Sequence, residues 1–249
     1  DAVTQESSSS SGSSSGSTGA ASGEIDQVSF SEVYVASNAT DTAAMINAKL
    51  AEGLHLVLTP GIYSLDAALE VSSDNQVILG IGLATIIPTA GTPAITVKSN
   101  LDGVRVAGVL LQAGSKRSDV LLEWGTEIYG GDASNPGVLS DVFVRVGGPD
   151  YFETFADVIL SVKTGHVIGD NLWLWRADHS VSGSVYNGDN PCYHGAVIDA
   201  DDVTMYGLAV EHTLSDLTQW NGDRGRSYFY QSELPYDVTQ EGWGDAGYV

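Results

Sequence analysis

Short valine-led segments of one shape recur along this chain, and the recurrence limits the folds open to it. Val77-Ile-Leu-Gly-Ile-Gly-Leu-Ala, Val104-Arg-Val-Ala-Gly-Val-Leu-Leu, Val167-Ile-Gly-Asp-Asn-Leu-Trp-Leu and Val203-Thr-Met-Tyr-Gly-Leu-Ala-Val each read as a short strand, a corner and a second short strand. Val142-Phe-Val-Arg-Val-Gly-Gly is a weaker copy. The corner falls at Gly108, Asn171 and Gly207, always at the same offset from the leading valine. Gly and Asn accept the left-handed backbone that such a corner needs. The leading valines are unequally spaced, as stacked coils with inserted loops of different length would be. A β-sandwich would also hold valine-rich strands. The repeated corner, and a helix followed by strands at the entry, favour a parallel solenoid.

Composition agrees with an all-β chain. Hydrophobic residues make up 43%, and glycine (29) far outnumbers proline (7). The formal net charge is −22, from 10 Lys+Arg against 32 Asp+Glu. Such a surface repels phosphate backbones and anionic bilayers, so nucleic acid is excluded as a partner and no membrane insertion is expected. A neutral polymer, a cation or a basic protein face stays open. The single cysteine, Cys192, permits no internal disulfide. It sits in Asn190-Pro-Cys-Tyr-His194, without an adjacent base pattern, and reads as an inert buried thiol or a bond to a partner chain rather than a nucleophile.

Residues 1–24 are a Ser/Gly-rich, low-complexity segment, read as a disordered linker. The β-helix domain is expected over 25–249. Gly247-Tyr248-Val249 supplies no evident cap, so the C-terminal end is expected to be incomplete, meeting a partner or a continuing chain. Asn38-Ala39-Thr40 is a glycosylation sequon if the protein is secreted. A helix is expected from Thr40 or Asp41 as cap, through Ala44, Met45, Ile46, Ala48 and Leu50, to Gly53. Strands follow at 54–58 and 62–65, joined by the turn Thr59-Pro60-Gly61.

The entry segment, Asp41-Thr-Ala-Ala-Met-Ile-Asn47 through Leu56-Val-Leu-Thr-Pro-Gly-Ile-Tyr63, resembles the opening of pectate-lyase-like β-helices. The second half is similar to one branch of that group. The matching residues are Trp173-Leu-Trp-Arg-Ala-Asp-His179, Asp201-Asp-Val-Thr-Met-Tyr-Gly-Leu-Ala-Val-Glu-His212, Gln219-Trp-Asn-Gly-Asp-Arg-Gly-Arg226 and Glu233-Leu-Pro-Tyr-Asp237. That branch comprises secreted proteins labelled "adenylyl cyclase" or "coagulation factor 5/8 type", akin to the β-1,3-glucanases of glycoside hydrolase family 55. The resemblance implies a right-handed parallel β-helix, with a short N-terminal capping helix, that lives outside the cell or in a cell wall. The cyclase label finds no phosphate-cradling glycine loop here. The resemblance does not place the glucanases' catalytic acid on a residue of this chain.

Residues 173–237 carry the candidate chemistry. Trp173 and Trp175 alternate with Leu172 and Leu174, so in a strand both indoles face one side, as a platform for sugar rings or as a pair covered by a loop. Arg176, Asp178 and His179 follow. Glu211 and His212 end the equivalent strand one coil later, and stacking would set the two clusters side by side. Asp178, Glu211 or Glu233 can then serve as general acid with a second carboxylate as base or nucleophile; Asp223 and Asp237 are further candidates. Arg176, His179, His212, Trp220 and Asp223 complete the expected substrate contacts, with the turn from Trp220 to Arg226 ordering a loop beside the groove. The competing reading is a buried polar network with Arg176 paired to Asp178 or Glu211.

Asp199, Asp201 and Asp202 crowd one turn with donors that suit calcium, short of a full ligand set. No other cofactor is expected, and Cys192 with His194 does not make a zinc site. The expected function is carbohydrate-active: binding and hydrolysis of a wall or storage glucan by a secreted protein. The alternative is a non-catalytic β-helix of a matrix, wall or appendage that assembles with partner chains.

Overall fold

The computed structural model describes residues 27–149 and 153–244, and the serine-rich segment lies outside them. Among the described residues, nine strands form one sheet and six a second. The first sheet runs through Val33–Ala36, His55–Leu58, Val77–Pro88, Arg105–Gln112, Val138–Val146, Ile168–Arg176, Thr204–Glu211 and Arg226–Glu233, with Ile62–Leu65 also pairing with Val77–Pro88. The second stacks Leu69–Val71, Ile95–Val97, Ser118–Tyr129, Ala156–Thr164, His194–Ile198 and Thr218–Trp220. Successive strands of each sheet pair in parallel, with the chain alternating between sheets. This is a right-handed parallel β-helix.

Each coil adds one rung to the same columns. Leu56, Ile78, Val106, Leu139, Gly169 and Met205 are aligned, and so are Val109, Val142, Leu172 and Leu208 beyond the corner. All but the glycine are core apolar residues, nearly solvent-free. Burying each such side chain contributes about 1.5–3 kcal/mol before entropy is counted. Gly169 interrupts its column because the Met205 thioether occupies the space a side chain would fill.

Gly108, Asn171 and Gly207 form the expected left-handed corner, at φ 66°, 56° and 69°. The register adds Asp141 (φ 52°) and Phe229 (φ 63°) to that corner. This corrects the reading of the middle copy: its rung begins at Val138, and Val142 follows the corner. Asn171 Nδ2 donates to Asp141 Oδ1 at 2.6 Å, tying one corner to the next.

The capping helix spans Ala43–Ala51 and lays Ala43, Ile46 and Leu50 over the N-terminal end of the core. Its N-cap is Thr42, whose hydroxyl accepts from Met45 N, rather than Thr40 or Asp41. Asp41 is occupied one turn earlier, accepting from Ser37 N and the Tyr34 hydroxyl. Gly53, at φ 85°, ends the helix as expected. Among the described residues no helix is long and apolar enough to cross a membrane.

Candidate functional site

Alternation along Ile168–Arg176 sends Leu172 and Leu174 into the core and Trp173 and Trp175 to the outer face of the first sheet. The two indoles stack, with centroids 5.2 Å apart and planes 22° from parallel. Among the described residues no loop covers them fully, and Trp173 is 40% exposed. They border a hollow of about 250 Å³ floored by Leu110, Phe143 and Val144, with Leu83 and Arg145 at its sides.

The next two rungs bring carboxylates to the same face. Trp175 is the register partner of Glu211, and Glu211 is the partner of Glu233. The Trp173 indole N–H donates to Glu211 Oε2 at 2.9 Å. Glu233 Oε2 accepts from the Tyr236 hydroxyl at 2.6 Å, and Gln231 Nε2 reaches its other oxygen at 3.3 Å. Asp178, just past the end of the Trp strand, meets His179 Nδ1 at 2.9 Å. His179 in turn lies against the Trp175 ring, at 5.2 Å between centroids. Asp178, Glu211, Glu233, Trp173, Trp175 and His179 therefore share one lateral site.

His212 belongs to this cluster but lies beneath it. It is 2% exposed, with Nδ1 against the Leu234 carbonyl at 3.1 Å and Nε2 3.6 Å from Glu233 and 4.0 Å from Asp178. Its expected role as a direct sugar contact is corrected by that burial. The Tyr236 ring packs edge-on to it at 4.7 Å. The Tyr236 phenol is pushed up to about 12, first by its hydrogen bond to Glu233, then by desolvation and the surrounding carboxylates.

Arg176 is the second correction. Its side chain points inward, is 2% exposed, and donates to the backbone carbonyls of Asn190, His212 and Asp189. Among the described residues it makes no ion pair with a carboxylate, and it lies away from the outer face of the sheet. The alternating pattern itself required this, since Arg176 follows Trp175 and falls on the core side. Burial lowers its pKa from the ordinary guanidinium value.

Trp220 and Asp223 are also displaced. Trp220 ends a strand of the second sheet, with Gly225 against its indole nitrogen. Asp223 sits in a turn whose backbone bonds to Asp201 and Asp202. The turn from Trp220 to Arg226 thus stacks on the acidic turn of the preceding coil, not beside the Trp platform. Arg224 donates to Asp202 at 2.9 and 2.8 Å and to Asp201 at 3.0 Å, while Asn221 donates to Asp199 at 2.7 Å. The Arg224 hydrogen bonds hold the Asp202 carboxyl below its usual range. The aspartates considered for calcium find these protein partners, and no cluster of three or more metal-ligating residues occurs among the described residues. Asp237 accepts from Asn187 N at 2.7 Å and fixes a loop. Cys192 is fully buried.

Sequence reasoning missed Tyr236, Gln231 and Arg145. Tyr236 follows Glu233 by three positions, and only the turn after the last strand shows that it folds back. Phe143 and Leu110 enter through the register, which the unequal coil lengths hid, and Leu83 through the irregularity between Leu79 and Ala84.

The family model for the LAM55 pectate lyase-like domain matches residues 33–233. An exo-beta-1,3-glucanase of Streptomyces sp. (strain SirexAA-E / ActE) is 42% identical over 201 residues, 80% of this chain and 32% of that protein. The structure of Lam55A from Streptomyces sp. SirexAA-E superposes with a TM-score of 0.75 at 39% identity, over 88% of this chain and 40% of the other. A variant of that protein in complex with glucose gives 0.73, with 84% and 38% covered. This chain spans about a third of the length of the glucanase it matches.

Proposed function

The chain belongs to the LAM55 pectate lyase-like domain family, and from that premise we propose that it is the glucan-recognising β-helix of a β-1,3-glucan hydrolase. The stacked Trp173–Trp175 platform directly beside Glu211 carries the reading. Flat aromatic faces suit the C–H faces of pyranose rings, and the rim carboxylates accept from sugar hydroxyls. The relative that is an exo-beta-1,3-glucanase supports glucose as the sugar and β-1,3 as the linkage.

In this reading Trp173, Trp175 and His179 hold the glucan, and Asp178, Glu211 and Glu233 supply acid–base groups. One carboxyl protonates the leaving oxygen while another activates water or attacks, the division of labour glycoside hydrolysis requires. His212 and Tyr236 position Glu233. Wall or storage glucan outside the cell is the substrate, and the exposed Asn38 sequon fits that location.

Purified protein titrated with laminarin tests this. Binding that is lost in Trp173→Ala/Trp175→Ala supports it, and sugar release lost in Glu211→Gln, Glu233→Gln or Asp178→Asn supports the acid–base assignment. Binding without release restricts the chain to recognition. No binding to laminarin, with other polysaccharides equally inert, overturns the proposal.

A further inference from the structure

A second aromatic pair lies on the same sheet face across the corner. Tyr206 and Tyr228 are register partners and stack with centroids 5.0 Å apart and planes 10° from parallel. They are 46% and 52% exposed. Neither hydroxyl has a hydrogen-bond partner among the described residues. Asp170, the next residue in their column, is exposed and likewise has no such partner.

This pair is continuous with the Trp platform. One hollow of about 500 Å³ is lined by Trp173 on one side and by Tyr206, Tyr228 and Phe229 on the other, with Gly207 and Ala209 as its floor. Small residues at those two positions of one rung keep the floor low. Trp173 is the partner of Ala209, and Tyr206 lies three residues before Ala209 on the same strand. That separation is about 10 Å along the coil, more than one pyranose ring covers.

We infer that Tyr206 and Tyr228 form a second sugar-stacking station, so that a single glucan chain runs from Trp175 over Trp173 and across the corner to the tyrosine pair. Asp170 and the tyrosine hydroxyls bond to sugar hydroxyls there. Register alone explains why two tyrosines stack. It does not explain why both keep free hydroxyls and half-open faces around a hollow shared with Trp173. The inference rests on the glucan-recognition reading and adds the direction in which the chain lies and the length it needs.

Calorimetric titration with β-1,3-gluco-oligosaccharides of two and of six residues tests it. The six-residue ligand is expected to bind wild type more tightly than the disaccharide. Tyr206→Ala/Tyr228→Ala should weaken the hexasaccharide by about 5- to 10-fold and leave the disaccharide unchanged. Trp173→Ala should weaken both. Tyr206→Phe/Tyr228→Phe keeps the stack and should recover most of the loss, which also guards against a misfolded double alanine variant. Hexasaccharide affinity unchanged in the double alanine variant, with wild type still binding, overturns the tyrosine station and leaves the Trp platform standing. Wild type that binds neither ligand overturns the recognition reading itself.

Discussion

The indole N–H of Trp173 donates to the Glu211 carboxylate across two neighbouring coils, at 2.9 Å. The bond ties the stacked Trp173–Trp175 pair to a candidate acid–base group, so each holds the other in place. Glu211→Gln keeps an oxygen to accept this bond and removes only the charge. The expected outcome is a melting temperature within about 1–2 °C of wild type, with laminarin turnover lost. Glu211→Ala leaves the indole N–H to water, and should loosen the platform and weaken laminarin binding severalfold as well. Calorimetric titration and reducing-sugar release on the two variants separate these effects.

Arg176 makes the opposite prediction, a structural loss without a chemical one. Its guanidinium serves the carbonyls of the buried Asn190 and His212 and of the exposed Asp189. Arg176→Met fills much of the volume but leaves those acceptors without their donors. A destabilisation of about 3–5 kcal/mol by urea denaturation is expected. Arg176→Lys should recover little, because one ammonium cannot span three carbonyls held by a planar fork. Equal stability of wild type and Arg176→Met would show that the loop from Asp189 to Asn190 is held by other contacts.

What was readable in the sequence follows from what repeats in it. The corner at Gly108, Asn171 and Gly207 was legible because Gly and Asn advertise left-handed backbone. Asp141 and Phe229 occupy the same column but do not advertise it, so their rungs were misplaced or missed. The Trp pair and Glu211 were legible because strand alternation and coil stacking are both local rules. Trp220 was not: the composition of its turn resembles a groove loop, and only the assignment of Thr218–Trp220 to the second sheet moves it away. Arg176 shows a rule left unapplied, since the alternation that faces Trp175 outward faces its neighbour inward.

The corner also yields a test of backbone strain. Asn171 holds φ 56° and donates to Asp141. Asn171→Gly keeps the conformation without penalty and loses one exposed hydrogen bond, so a change under about 1 kcal/mol is expected. Asn171→Val places a β-branched residue where it clashes with its own backbone, and should cost about 2–3 kcal/mol. Thermal melts of the pair read the difference directly. Because Trp173 lies two residues further on, the valine variant should also blunt laminarin binding, while the glycine variant should not.

Cys192 gives a prediction in pH. Desolvation pushes its thiol up to about 12, with the nearby Arg176 charge opposing only in part. At pH 8 the native thiol stays protonated, and the reactive thiolate is withheld. The native protein should therefore resist thiol reagents for hours, whereas the urea-unfolded chain reacts within minutes. The same shift links folding to pH. Above the unfolded value near 9 the unfolded chain loses this proton while the native chain keeps it, so the unfolded state binds fewer protons and stability falls as pH rises. The contribution is fully present below pH 9 and declines by up to about 1.4 kcal/mol per pH unit between roughly pH 9 and 12. Cys192→Ala removes the linkage but opens a small cavity. It should be less stable than wild type at pH 7, with a shallower decline from pH 9 to 11. Denaturant midpoints at those pH values decide it: parallel pH curves for the two proteins would mean that the thiol ionises without unfolding.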